Sequence, residues 1–244
     1  MMELDYIQSI LLRHIYAKNR TPVFKGGTCL RKVHGLNRYS EDLDFNMIGG
    51  DPEELLRDGI KGLERTGIPA RIVNKDDRKN VFLARLRYQG PLYNGTSISE
   101  GSMELEFSKY EVRHKPEWNT VMEKYPDTGT FMIRTMAKEE ILAEKIRSLV
   151  QRKKVRDLYD VWFMLEKGFG LSEKLVESKF RDVGMEPIGI EKILECYVVT
   201  DNEWERDMKN LINMVPGLEN IRGSIVKTIS DMGPTHQIDI KPEE

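Results

Sequence analysis

The residues best suited to chemistry lie in one stretch, Lys25 to Phe45, which reads KGGTCLRKVHGLNRYSEDLDF. Asp42 and Asp44 flank Leu43 there. Alternate side chains of a strand share a face, so both carboxylates point one way while Leu43 and Phe45 point into a core. Two carboxylates so placed repel each other unless a cation lies between them. Magnesium suits such a pair, because it takes oxygen ligands and fills its shell with water and phosphate. A solvated strand end accounts for the same pair without a metal. Upstream, Gly26 and Gly27 let the backbone approach a ligand closely, and the helix start after them offers N–H groups to an anion. Thr28 can cap that helix or give its hydroxyl to a phosphate. A phosphate cradle and a metal-binding pair within one strand–helix–strand unit point to metal-dependent phosphoryl chemistry.

A third carboxylate is available in GSMELEFSKY, where Met103, Leu105 and Phe107 alternate with Glu104 and Glu106. If this strand lies beside the one carrying Asp44, one glutamate completes a three-carboxylate site for two metal ions. Two metals about 3.5–4 Å apart stabilise both the attacking and the leaving oxygen of an in-line displacement. The alternative is that both glutamates line a solvated face.

The elements that must position these groups follow from periodicity. Leu4, Ile7, Ile10, Leu11 and Ile15 predict a helix over 3–18, which Thr21-Pro22 breaks before a short strand at Val23-Phe24. A helix over 28–35, a strand over 41–48 and a helix over 52–66, opened by Asp51-Pro52, come next. Strand-like alternation covers 70–75, 80–88, 101–110 and 130–134. From about residue 137 the pattern is helical, with one stripe through Ile141, Leu142, Ile146, Leu149 and Val150 and another through Leu158, Val161, Trp162 and Leu165. Further helices are expected near 171–181, 187–196, 201–214 and 218–231, before a polar, frayed tail after Gly233. The organisation expected is an α/β domain over 1–135 and a helical domain over 136–244.

Composition narrows the class. The 244 residues are 39% hydrophobic and 32% charged, with a formal net charge of −2. That balance argues against non-specific coating of nucleic acid but leaves room for a local basic cleft. Cys29 and Cys196 form neither a disulfide framework nor a zinc spacing, which points to a reducing cytoplasm. The opening MMELDYIQSILLRHIY is amphipathic and acidic, unlike a signal peptide, and no window approaches 18 apolar residues, so no membrane span is expected. His14, His34, His114 and His236 show no ligand spacing.

Taken together, KGGTxLxK followed by RxSxDLDF resembles the AbiEii/AbiGii-type toxin branch of the DNA polymerase β-like nucleotidyltransferase superfamily. The later run EEILAEKIRSLVQRKKVRDLYDVWFM resembles that branch's second conserved region, so the resemblance spans about residues 23 to 166. It implies an α+β fold, with a mixed sheet and flanking helices joined to a C-terminal helical bundle and an active cleft between them. It also implies that Lys25, Gly26, Gly27 and Thr28 hold the triphosphate of an incoming nucleotide, with Arg38 and Ser40 beside the metal site. Asp42 and Asp44 would bind magnesium, two ions in all, with Glu106 fitting the third carboxylate better than Glu104. Lys145 would face the nucleotide phosphates and Asp160 would sit across the same cleft. The implied activity is transfer of NMP from an NTP to a hydroxyl acceptor, an RNA and specifically a tRNA 3′ end, by the toxin of a toxin–antitoxin pair in phage defence. A cognate antitoxin protein is then a partner.

Taken one at a time, several of these residues also fit plainer roles. Lys145 lies at the margin of an apolar stripe, where snorkelling also accounts for a lysine. Asp157 and Asp160 are spaced to pair with Arg156 and Lys153 along a helix. The cluster Arg152, Lys153, Lys154 and Arg156 reads as a solvated turn or as a patch for an RNA backbone. Arg85 and Arg87, and less clearly Lys109, Arg113 and Lys115, are further candidates for substrate contact. Transfer to a small molecule or a protein hydroxyl, γ-phosphoryl transfer, and nucleotide binding without catalysis stay open as alternatives.

Overall fold

Four phenylalanines organise the sheet. A computed structural model describes residues 2–190, 192–193 and 197–231. Its strands are β1 (Pro22–Lys25), β2 (Leu43–Met47), β3 (Ala70–Arg78), β4 (Val81–Tyr88), β5 (Gly101–Ser108), β6 (Glu117–Met122) and β7 (Thr130–Thr135). They form one seven-stranded sheet in the order β3-β4-β5-β2-β1-β7-β6. The sheet is mixed, with β2–β5 and β1–β7 parallel and the other pairs antiparallel. Phe24, Phe45, Phe107 and Phe82 are partners across four adjacent strands. Their ring centroids are 5.3, 5.1 and 6.1 Å apart in turn, and all four rings are buried. A one-residue slip of any of these strands would send its ring to the opposite face, so the aromatic row fixes the register.

The first compact unit, Met1–Ala137, adds α1 (Met2–Lys18), α2 (Gly26–His34) and α3 (Pro52–Arg65) to the sheet. Ile7, Leu11, Leu12 and Ile15 of α1 are fully buried. Asp51 caps α3, accepting from the Glu53 amide at 2.9 Å with Pro52 in the first turn. The second unit, Lys138–Glu244, contains α4 (Lys138–Arg152), α5 (Val155–Glu166), α6 (Glu173–Asp182), α7 (Asp201–Met208) and α8 (Leu218–Asp231). Here α4 packs on α5 and α6, while α5 packs on α7 and α8. Buried Lys179 of α6 bonds Glu140 of α4 at 2.5 Å and Glu144 at 3.3 Å, pinning those two helices.

Several boundaries differ from expectation for identifiable reasons. β3 runs on through the charged Asp76, Asp77 and Arg78, because it is an edge strand whose side chains reach water, and the turn shrinks to Lys79-Asn80. β6 was not expected at all. Only Val121 of its six residues is buried, so EWNTVM carries no alternating apolar signal. α7 stops at Met208 rather than 214, since the chain turns back and the Pro216 carbonyl accepts from the Trp204 indole at 2.8 Å. The expected helix over 187–196, the tail after Gly233, Cys196 and His236 fall wholly or partly outside the described residues. Among the described residues, no helix is long and apolar enough to cross a membrane.

Candidate active site

On the face opposite the phenylalanine row, the residues one position away form a second row. Lys25 of β1 is the partner of Asp44 on β2, Asp44 the partner of Glu106 on β5, and Glu106 the partner of Leu83 on β4. Neighbouring strands lie about 4.8 Å apart, so the two carboxylates stand side by side on one face. Asp44 and Glu106 are half-buried, and Lys25 is buried. The adjacency of the two acidic strands, on which a three-carboxylate reading depends, is therefore present. Glu104 shares that face but is engaged by Arg85 across β4–β5 at 2.9 Å. Below the row, Asn46 and Ser108 are also partners, with the Ser108 hydroxyl donating to Asn46 Oδ1 at 2.7 Å and the Asn46 amide to the Tyr110 carbonyl at 2.9 Å.

The glycine pair closes on this row. Gly26 opens α2 with φ +76°, and a Cβ built there would lie 1.9 Å from Asp44 Oδ2. Only glycine meets both demands. A Cβ on Gly27 would lie 2.7 Å from Ser40 Oγ and 2.8 Å from Arg38 Nη2. Gly26, Gly27, Arg38, Ser40 and Asp44 thus crowd around one helix N-terminus. Its N-cap position is Lys25, which makes no side-chain cap, and the first turn contains no acid. The N–H groups of that first turn and the helix dipole leave this end suited to an anion.

Thr28 and Asp42 behave differently from expectation. Thr28 is fully buried and its hydroxyl donates to the Asp42 backbone carbonyl at 2.6 Å, so it neither caps α2 nor presents that proton to a phosphate. Gln8 of α1 donates to the carbonyls of Ser40 and Glu41 at 3.1 and 3.0 Å. With these carbonyls claimed by α1 and α2 rather than by a neighbouring strand, β2 begins at Leu43 and Asp42 precedes it. Asp42, like Asp44, is half-buried.

The far end of α2 is anchored by a buried ionic group that sequence reasoning missed. Lys32 bonds Asp5 at 3.0 Å, Glu123 at 2.8 Å and the Ser9 hydroxyl at 2.7 Å, and Arg31 also bonds Asp5. Burial alone would raise the Asp5 carboxyl, but Lys32, then Arg31 and Tyr125, hold it well below the usual carboxylate range. Cys29, one turn along α2, is wholly buried, and burial pushes its thiol far up, leaving it inert.

In the second unit, Lys145 lies inside a network rather than snorkelling. Its ammonium is 2.7 Å from Asp160 and 3.4 Å from Asp157, and both aspartates are fully buried. Arg152 takes Asp157 in a bidentate grip, at 2.7 and 2.9 Å. The two aspartates therefore pair with Lys145 and Arg152, not with Arg156 and Lys153. Burial would raise the Asp157 carboxyl, but Lys145 and Arg152 outweigh it and hold it down at about 2.

The donor set can be tested against a divalent cation. Asp44 and Glu106 offer hard oxygen ligands in register, with no thiol or imidazole beside them in the strand row. Among the described residues, no group of three or more His, Cys, Asp or Glu is assembled as a metal cage. Magnesium needs no such cage, since it is commonly held by one or two carboxylates plus water and substrate phosphates. The row fits that mode.

The mixed sheet followed by a helical unit is a fold that solved structures share. The structure matches MenT4, a nucleotidyltransferase toxin from Mycobacterium tuberculosis H37Rv, with a TM-score of 0.70 at 20% identity over 96% of this chain and 84% of that one. It also matches JHP933 from Helicobacter pylori, with a TM-score of 0.59 at 20% identity over 95% of this chain and 90% of that one. An uncharacterized protein of Aquifex aeolicus (strain VF5), aq_aa25, is 30% identical over 162 residues, which span 65% of this chain and 66% of that protein's length. The model of the nucleotidyl transferase AbiEii toxin family, of the type IV toxin–antitoxin system, matches residues 10–228. The chain belongs to that family of nucleotidyltransferases.

Proposed function

We propose that the protein transfers the nucleotidyl group of an NTP to a hydroxyl of an RNA 3′ end, tRNA by preference, as the toxin of a pair that includes an antitoxin. The observation that carries this reading is the in-register pair Asp44 and Glu106 beside Gly26 and Gly27. A triphosphate has four of its demands met there: N–H donors from the start of α2, the cations Lys25 and Arg38, the hydroxyl of Ser40, and room that only glycine leaves. Magnesium would be held by Asp44 and Glu106, with Asp42 adjoining, and when bound supplies charge neutralisation at the phosphates.

The chain's own residues account for the rest. The acceptor hydroxyl oxygen forms a bond to the α-phosphorus as the bond to the α–β bridging oxygen breaks, and pyrophosphate leaves. Glu106 supports the attacking oxygen, whose proton passes to solvent. The family resemblance assigns Lys145, oriented by Asp160, to the nucleotide phosphates. Most of the acceleration comes from positioning and fixed charge rather than from covalent intermediates.

The test supplies α-labelled and γ-labelled NTPs with magnesium and total RNA to purified protein. α-Label on RNA is the expected result, lost by about 10²–10³-fold in Asp44→Asn. Label from the γ-position on any acceptor, or full transfer by Asp44→Asn, overturns the reading.

A further inference from the structure

The turn between α4 and α5 is a cationic surface that the nucleotide chemistry does not use. Arg152, Lys153, Lys154 and Arg156 follow one another there, with Lys153 and Lys154 exposed. Among the described residues, Lys153 is the one non-glycine with positive φ, 50°, and this turn separates the two helices by a single short bend. Arg152 is engaged with Asp157, whereas Lys153, Lys154 and Arg156 enter no ion pair among the described residues. The only acid in the first turn of α5 is Asp157, which is fully buried and already claimed by Lys145 and Arg152. Charge is also segregated along α4. Its acids, Glu139, Glu140 and Glu144, all precede Lys145, and the charged residues after that lysine, Arg147 and Arg152, are both basic.

We infer that this turn is the docking surface for the phosphate backbone of the RNA acceptor, an inference that rests on the nucleotidyl-transfer reading for the acceptor's role. Two observations favour a nucleic-acid strand over an acidic protein. Lys153 and Lys154 are exposed and outside any ion pair among the described residues, so they reach a flexible polyanion without breaking existing bonds. Among the described residues, no large hydrophobic side chain of α4, α5 or α6 is exposed, so these three helices offer no exposed apolar anchor of the kind on which protein interfaces depend. Geometry within α4 agrees. Arg152, which ends α4 beside Lys153, lies seven residues beyond Lys145, about 10 Å along the helix. That distance is covered by about three nucleotides of a stacked strand at about 3.4 Å each. A strand gripped at the turn can therefore extend its end toward Lys145, and the Arg152–Asp157–Lys145 chain connects the grip to that lysine through bonded atoms.

The test measures binding of a short fluorescein-labelled single-stranded RNA by anisotropy, without NTP, across a salt series. Lys153→Glu/Lys154→Glu is expected to weaken binding about tenfold and to lower the salt slope by about 1.4, two contacts at about 0.7 each. Its melting temperature should be unchanged. Lys75→Glu/Arg78→Glu, with the same change in net charge on β3, should bind as the parent does. In the transfer assay the turn variant should raise KM for RNA while kcat at saturating RNA is kept. Undiminished affinity and slope in the turn variant overturn the inference, as does equal competition by poly-glutamate or a parent protein that binds no RNA. RNA binding through the turn without any label transfer would uphold the docking surface and sink the transfer reading. Label moving to a non-RNA acceptor, with no RNA bound, would do the reverse.

Discussion

The two clusters of candidate site residues are built on opposite plans. In the first unit, Asp44 and Glu106 stand half-buried on one face of a sheet, and their order comes from a row of buried rings on the other face. In the second unit, Lys145, Asp160 and Asp157 are buried and satisfy one another. The sheet presents charge outward and keeps its stability in apolar packing. The helical network holds its charge in mutual bonds, so its geometry and its stability rest on the same atoms. Mutations should separate function from folding in the first cluster and fail to do so in the second.

The largest effect expected comes from removing a ring behind the carboxylates. Phe107→Ala should cost about 3–5 kcal/mol by denaturant unfolding. It should also depress nucleotidyl transfer although Phe107 touches no substrate. If transfer survives at full rate in the folded fraction, the rings do not set the register. Next comes acid sensitivity in the second unit. The Asp157 carboxyl is held down at about 2 from an ordinary 3.8, so its contribution is complete above pH 4 or so and is lost as pH falls toward 2. That contribution is about 2 kcal/mol, and Asp157→Asn should flatten this part of the stability profile while lowering stability at neutral pH. Gly26→Ala should cost about 1–3 kcal/mol through its left-handed backbone and should displace the Asp44 carboxylate, lowering transfer more than it lowers stability. Equal losses in both would assign Gly26 to folding alone. The smallest effect belongs to Arg85→Ala. Its pair with Glu104 is exposed on both sides, and thermal unfolding should shift by less than about 1 kcal/mol.

Much of this was legible in the residues. The alternation of DLDF and LEFS gave the face of each carboxylate, because period two is a local property. Their adjacency was not, since Asp44 and Glu106 are joined by a parallel pairing across sixty-odd residues that only the whole sheet decides. Thr28 misled because a buried threonine in a first turn and a ligand-binding one look alike until the Asp42 carbonyl appears beside it. Arg152 was read with the basic cluster and not with Asp157, since their bond spans a break between helices, where helical spacing rules do not apply. β6 left no trace because an edge strand with a single inward residue needs no pattern.

The parallel pairing of β2 with β5 also bears on how the acidic pair is assembled. A hairpin cannot make such a pair; the chain must first lay down α3, β3 and β4. The β3–β4 and β4–β5 contacts close locally and fast, whereas docking their meander onto β2 requires a long loop to be shut. The acidic pair is therefore completed by a long-range closure and not by any local hairpin.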